Sequence, residues 1–161
     1  MATQLFKLII IMCSAYAPLA LAEDLPKEGD FNATYYLSGI TTRSISLGNS
    51  KSVALIEFVT VSTNDSGKGL FNNMTAQCIA LAGTDDVSGY CVYSDTDGDK
   101  FIEPVHRKLS SSKGDATLGW GTGKYKGIEG SLEFERVTML PATGPDTFHQ
   151  IGKKRGHYKL P

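Results

Sequence analysis

Apolar and polar residues alternate with a period of two along several short segments of the chain. In the segment SLEFERVT, Leu132 and Phe134 fall on one side of an extended strand, and Glu133 and Glu135 fall on the other. This alternation is typical of a β-strand with one packed face and one wet face. The segment SVALIEFVTV carries apolar residues on both faces, which predicts a strand that is covered on both sides or lines a cavity.

About eight such runs, rich in Val, Ile, Thr, Tyr and Phe, are separated by clusters of Gly, Asn, Asp and Ser. Helical periodicity is hard to find between them. The pattern predicts an all-β protein, either an antiparallel barrel or a sandwich. A chain of 161 residues suits one ordinary domain, and we expect residues 23–161 to form it.

The first 22 residues have the features of a cleaved signal peptide. Lys7 supplies the positive charge, the run from Leu8 supplies the apolar stretch, and Ala20-Leu21-Ala22 is a small-x-small cleavage site. We therefore expect an exported protein, periplasmic or secreted, with no membrane span after cleavage. Removal of Lys7 would leave 15 of the 16 Lys and Arg residues against 17 Asp and Glu residues. This near-neutral balance argues against nucleic acid as a partner.

The two cysteines that would remain, Cys78 and Cys91, lie on consecutive predicted strands. If they face each other, the centre of the hairpin falls between Thr84 and Asp85, inside a turn-forming GTDD sequence. This agreement favours a cross-strand disulfide, a bond that persists in an oxidising compartment. The alternative is a redox or metal-binding pair, but a C-x-x-C spacing is absent and two cysteines alone do not make a zinc site.

The acidic stretch DTDGD has some features of a calcium loop. An EF-hand loop that starts at Asp95 would need glycine at position 6 and glutamate at position 12, where the chain has Lys100 and His106. Asp95 and Gly98 instead suit the first and fourth positions of a type I turn. We therefore predict a hairpin corner here and no metal site, and the sequence suggests no cofactor.

The segment GTGKYKGIEG, followed by an alternating strand, resembles a glycine-rich segment of the allene oxide cyclase and dirigent barrel superfamily. The segment GYCVYSDTDGDK is similar to a hairpin of small exported bacterial members of that group. The resemblance implies a single eight-stranded antiparallel barrel, lipocalin-like in outline, with an apolar central cavity. It also implies that a homo-oligomer can form through the outside of the barrel. No catalytic residue carries over with the matching segment.

Among the carboxylates, Glu57 is the candidate for catalysis, because its neighbours in LIEFV are all apolar. A cavity-facing Glu57 would be desolvated and suited to act as a general acid or ligand anchor. The alternative is that Glu57 faces water or pairs with a cation. The aromatic residues Tyr35, Phe58, Tyr90 and Trp120 are candidates for a ligand pocket, and the alternative for them is ordinary core packing.

Three hypotheses of function follow. The first is a non-enzymatic protein that binds a small apolar molecule. The second is a cofactor-free cyclase or isomerase that orients a reactive apolar substrate. The third is a filled barrel that acts as a protein-interaction module. A buried, titrating Glu57 would favour the enzyme, a cavity without converging polar groups would favour the binding protein, and a closed interior would favour the interaction module.

Overall fold

The computed structural model describes residues 25–161, which form a closed antiparallel barrel of eight strands. Each strand pairs with the next, and β8 closes the ring by pairing with β1. The predicted all-β barrel is therefore confirmed, whereas the predicted signal peptide lies outside the described residues. The strands are β1 (Glu28–Gly48), β2 (Lys51–Asn64), β3 (Met74–Ala82), β4 (Asp86–Ser94), β5 (Lys100–Lys108), β6 (Lys113–Gly121), β7 (Glu129–Leu140) and β8 (Thr147–Lys159).

The helical content of the described chain is small. A 3-10 turn at Gly123–Tyr125 joins β6 to β7. Across residues 25–161, no helical segment has the length and the apolar character needed to span a bilayer.

Side chains alternate between the barrel interior and the outer surface along each strand. In β7, Leu132 is buried while Glu133 and Glu135 are exposed, as the sequence pattern predicts. In β2, the alternation places Ile56 and Phe58 inside, and Leu55 and Val59 are exposed on the outer surface. The apolar residues on both faces of β2 therefore reflect a cavity wall on one side and an uncovered apolar surface on the other.

An aromatic plug fills the lower half of the barrel, the end at which β5 and β7 begin. Phe71 lies at its centre, with its ring centroid 4.9 Å from those of Phe31 and Tyr93 and 5.5 Å from that of Phe101. Tyr125 packs against Phe101 at 5.2 Å. Such tilted and edge-on pairs stabilise the core beyond the area they bury. We call these five residues the aromatic plug.

The central ring of the plug comes from a loop and not from a strand. Phe71 lies between β2 and β3 and has a positive φ of 66°, a conformation that is uncommon outside glycine. The side-chain amide of Asn64 donates a hydrogen bond of 2.8 Å to the carbonyl of Leu70, which holds the loop in the barrel end. The loop that carries Phe71, called the stopper loop below, therefore closes this end of the barrel. A ligand site could lie only toward the opposite end.

The predicted disulfide is confirmed. Cys78 on β3 and Cys91 on β4 are direct partners in the strand register, and their sulfur atoms are bonded at 2.02 Å. Both residues are buried on the interior face of the barrel. The bond therefore ties two neighbouring strands beside the barrel core.

Reduction of Cys78–Cys91 should lower the free energy of unfolding by about 3 kcal/mol, because it releases a loop with a sequence separation of 13 residues in the unfolded chain. Urea unfolding with and without reductant measures the difference. The double variant Cys78→Ala/Cys91→Ala is the control, and its unfolding should not respond to reductant. Equal unfolding midpoints for the oxidised and reduced wild-type protein would contradict a stabilising cross-link.

Candidate functional site

The barrel interior holds a cavity of about 110 Å³ between the aromatic plug and the end at which β5 and β7 finish. Its walls come from the inward positions of most of the strands, so that the alternation of each strand decides which side chains reach the cavity. Between the polar floor and the polar rim, the wall residues are apolar. They are Leu37, Ile56, Phe58, Ala80, Val87, Val105, Phe134 and Phe148.

A buried ion pair forms the floor of the cavity. The ammonium of Lys154 on β8 donates hydrogen bonds to both carboxylate oxygens of Glu103 on β5, at 2.8 and 2.9 Å. It donates a third, of 2.8 Å, to the hydroxyl of Tyr93. Each charged side chain is only 3% exposed. Because all three ammonium protons have acceptors in the protein, the pair has little left to offer a ligand.

Aromatic rings also surround the Lys154 ammonium. Its nitrogen lies 4.3 Å from the centre of the Phe71 ring and 4.7 Å from that of Tyr93, distances at which cation–π attraction contributes. Burial lowers the pKa of Lys154, and the neighbouring Glu103 carboxylate opposes that shift. The ion pair thus joins the cavity floor to the aromatic plug.

Two further hydroxyl groups lie at the floor. Burial, reinforced by the charge of Glu103, raises the pKa of Tyr35 to about 12, so its phenol is neutral at physiological pH. The Tyr35 ring occupies the space over Gly152, where any side chain would collide with it. The second is the buried hydroxyl of Thr60: burial raises the pKa of Tyr93, and a hydrogen bond with Thr60 opposes that shift. Tyr35 and Thr60 therefore add neutral polar groups to the floor of the cavity.

The rim of the cavity carries polar and charged groups, including His106, Arg107 and Gln150. His106 is about half exposed, and its ring nitrogens lie 3.3 Å from Asp86 and 3.7 Å from Asp115. From floor to rim, the cavity lining is therefore charged, then apolar, then polar and charged again.

The four predicted pocket aromatics separate into two groups. Tyr35 and Phe58 line the cavity, whereas Tyr90 is 59% exposed and Trp120 is 68% exposed. The prediction that Tyr90 and Trp120 line the pocket is therefore wrong. Tyr90 precedes the inward-facing Cys91 and so must face outward. Trp120 has a positive φ of 44°, which ends the regular alternation of β6.

The prediction of a cavity-facing Glu57 is also corrected. Glu57 is exposed on the outer surface of β2, because Ile56 and Phe58 on either side of it face the cavity. In the strand register it lies between Ile40 and Ile79. The carboxylate that does face the interior is Glu103 on β5, for which the sequence predicted no role.

The acidic stretch forms the predicted hairpin corner. The amide of Gly98 donates a 3.2 Å hydrogen bond to the carbonyl of Asp95, and Gly98 has a φ of 86°. The ammonium of Lys124 lies 2.7 Å from the Asp95 carboxylate and also contacts Asp97. Hydrogen bonds from Lys124 help to lower the pKa of Asp95 against the opposing effect of burial. Within the described residues, no group of three His, Cys, Asp or Glu side chains is placed to hold a metal ion.

Comparison with known proteins gives a likeness in fold. The pterocarpan synthase dirigent protein PsPTS1 superimposes with a TM-score of 0.54 at 11% sequence identity, over 84% of this chain and 98% of that protein. The pterocarpan synthase dirigent protein GePTS1 superimposes with a TM-score of 0.50 at 11% identity, over 84% and 87% of the two chains. No protein-family model and no curated protein matches the sequence. The chain therefore has the fold of a dirigent-like barrel, and at this identity the likeness shows the fold alone.

Replacing Lys154 with methionine should lower the free energy of unfolding by about 3–5 kcal/mol, because Glu103 would stay buried without its partner. The double variant Lys154→Met/Glu103→Leu removes both charges and should recover most of that loss. Urea unfolding of the two variants measures the difference.

The control is Lys153→Met, which removes the neighbouring outward-facing lysine and its exposed contact with Asp65. It should cost less than about 1 kcal/mol. If Lys154→Met were as mild as Lys153→Met, the ion pair would not be the buried interaction described above.

Proposed function

We propose that this protein binds a small apolar molecule inside the barrel and does so without catalysing a reaction. The observation that carries the proposal is the apolar cavity above a fully packed plug. Protein interiors are normally close-packed, so a barrel with a purely structural role would be expected to have its interior filled by side chains. Apolar walls with few polar groups are typical of small-molecule sites.

The volume of the cavity limits how much of a ligand it encloses. Ligand pockets usually measure about 300–1,000 Å³, and an engineered apolar cavity of about 150 Å³ in another protein holds benzene. A cavity of about 110 Å³ is therefore suited to a single small ring or a short branched chain. Only one end of a larger ligand would be enclosed by the barrel, and the rest of it would lie at the rim.

An enzymatic role for the same cavity is the second candidate. Support for it comes from a fold shared with proteins that are named as pterocarpan synthases. Against it, Glu57 lies outside the barrel and Glu103 is engaged by Lys154. A cyclase or isomerase would thus have to work by orientation in the cavity and not by proton transfer from either carboxylate.

We also propose that the protein acts outside the cytoplasm. The Cys78–Cys91 disulfide supports this location, because such bonds persist in oxidising compartments. The charge pattern and cleavage site of residues 1–22 support it independently.

Filling the cavity with Val87→Phe should abolish binding of small apolar probes such as methylcyclohexane, because the new ring would occupy the space between the walls. The matched control is Ser88→Phe, which adds the same ring to the adjacent outward-facing position. Isothermal titration calorimetry measures binding, and thermal melting checks that each variant is folded. Equal binding by Val87→Phe and wild type would place the probe outside the cavity.

The outside of the barrel supports a further part of the proposal, assembly with a second copy of the chain. The outer surfaces of β1 to β4 carry large apolar side chains that are neighbours in the strand register, among them Tyr36 with Val61 and Ile79 with Tyr90. All four are more than half exposed. Contiguous apolar surface of this kind marks interaction sites. The same surface on a second copy supplies an apolar partner of matching character.

The substitution Ile79→Lys should raise the dissociation constant of this assembly at least tenfold, because it buries a charge in the contact. Multi-angle light scattering over a range of concentrations measures the mass in solution. Thr117→Lys, at an exposed position on β6, is the control. A wild-type protein that stays monomeric at every concentration would contradict the assembly.

A further inference from the structure

Two arginines converge at the rim of the cavity. Arg107 lies on the inward face of β5, two inward positions above Glu103, and it lines the cavity. Arg136 lies on β7, one inward position above the wall residue Phe134. Both are half-buried. Their strands therefore present two guanidinium groups at the same end of the barrel.

The turn between β5 and β6 brings the two arginines together. The guanidinium of Arg107 donates a 2.6 Å hydrogen bond to the carbonyl of Ser111, and the backbone amide of Arg136 donates a 2.9 Å hydrogen bond to the carbonyl of Ser112. Burial lowers the pKa of Arg107, and repulsion from Arg136 lowers it further. Both arginines also act electrostatically on Tyr35 in the cavity.

The arginine pair lacks a counter-ion in the part of the chain that the structure describes. No carboxylate of residues 25–161 lies within 4.0 Å of either guanidinium. The nearby carboxylates are directed elsewhere, since Glu103 is bound by Lys154 and Glu135 faces outward toward Lys113. Two half-buried like charges without a counter-ion raise the energy of the empty site, and a bound anion would relieve that repulsion.

Arginine is the side chain best matched to a carboxylate, because its planar fork can donate two parallel hydrogen bonds. The partial burial of the rim makes such a contact stronger than one on the open surface. The floor, in contrast, already has its charges paired. An amphiphilic ligand would therefore direct its apolar end to the walls and its charged end to the rim.

We propose that the ligand of this cavity is a compact carboxylate, with a ring-sized apolar body in the barrel and its anionic group bound by Arg107 and Arg136. This inference rests on the proposed function and adds the charge and orientation of the ligand. A long acyl chain does not fit within the cavity, because the cavity volume is about 110 Å³.

A purely structural role is the competing explanation for one of the two arginines. Arg107 donates hydrogen bonds to the carbonyls of Lys108 and Ser111 and so also stabilises the β5–β6 turn. No hydrogen bond from the Arg136 side chain to another described residue restricts it in this way. Arg136→Gln is therefore the variant that disturbs the β5–β6 turn less. The matched control is Lys108→Gln, which removes a positive charge from the outward-facing position next to Arg107.

The experiment compares two probes of the same shape, cyclohexanecarboxylate and its neutral amide, by calorimetry at low salt. The wild-type protein should bind the carboxylate at least tenfold more tightly than the amide. Arg136→Gln should remove this preference while leaving the affinity for the amide within about twofold, and Lys108→Gln should keep the preference. The preference should also shrink at high salt, as screening weakens the charge contact.

The outcomes separate this inference from the proposed function. If wild type bound both probes equally, or if Arg136→Gln kept the preference for the carboxylate, the rim would not recognise an anion, and the apolar cavity would stand. If neither probe bound, both the inference and the proposed function would be overturned. If Val87→Phe still bound the carboxylate with wild-type affinity, the anion would bind outside the cavity, and the inference would fail.

Discussion

The buried pair of Lys154 and Glu103 is the interaction on which the rest of the interior depends. It crosses the barrel from β8 to β5 and divides a packed lower half from an open upper half. Neither charge is tolerable at this depth without the other, so their strands must be in the register that brings them together. The hydroxyl of Tyr93 accepts the third hydrogen bond of the Lys154 ammonium and links the pair to the aromatic plug. The floor of the cavity is thus fixed by hydrogen bonding and not by packing alone.

From this floor to the rim, the polarity of the side chains that line the interior changes in three steps. The paired and desolvated charges of Lys154 and Glu103 lie at the bottom, and apolar walls follow. At the rim lie two arginines that have no counter-ion among residues 25–161. In the proposed binding mode, the apolar walls would favour entry of an apolar group, and the arginines would orient a ligand that carries an anionic group. The order also explains why the cavity is small, because the stopper loop around Phe71 fills the other end of the barrel.

Much of the fold could be predicted from local patterns. The alternation in β7 and the turn-centred spacing of Cys78 and Cys91 each depend on neighbours in sequence, and both predictions are confirmed. The pairing of Lys154 with Glu103 could not be predicted in this way, because it joins residues 51 positions apart across the barrel. Alternation along β8 directs Lys154 and Arg155 to opposite faces, but only the closed ring makes the Lys154 face an interior one.

The errors at individual residues have local physical causes. The prediction for Glu57 rests on the apolar character of its neighbours, whereas the direction of its side chain follows from the inward positions of Ile56 and Phe58. For Trp120, a positive φ reverses the expected direction, and no residue pattern announces it. Phe71 lies outside the strands, and its place in the core depends on a loop that folds back into the barrel.

A crystal structure determined under xenon pressure is a direct test of the apolar cavity, because xenon enters apolar cavities that exclude water. The account predicts a xenon atom within the walls formed by Phe58, Val87 and Phe134, above the Lys154–Glu103 pair. An interior that held only side chains or a chain of ordered waters at that position, with no xenon, would contradict an apolar ligand site in this barrel.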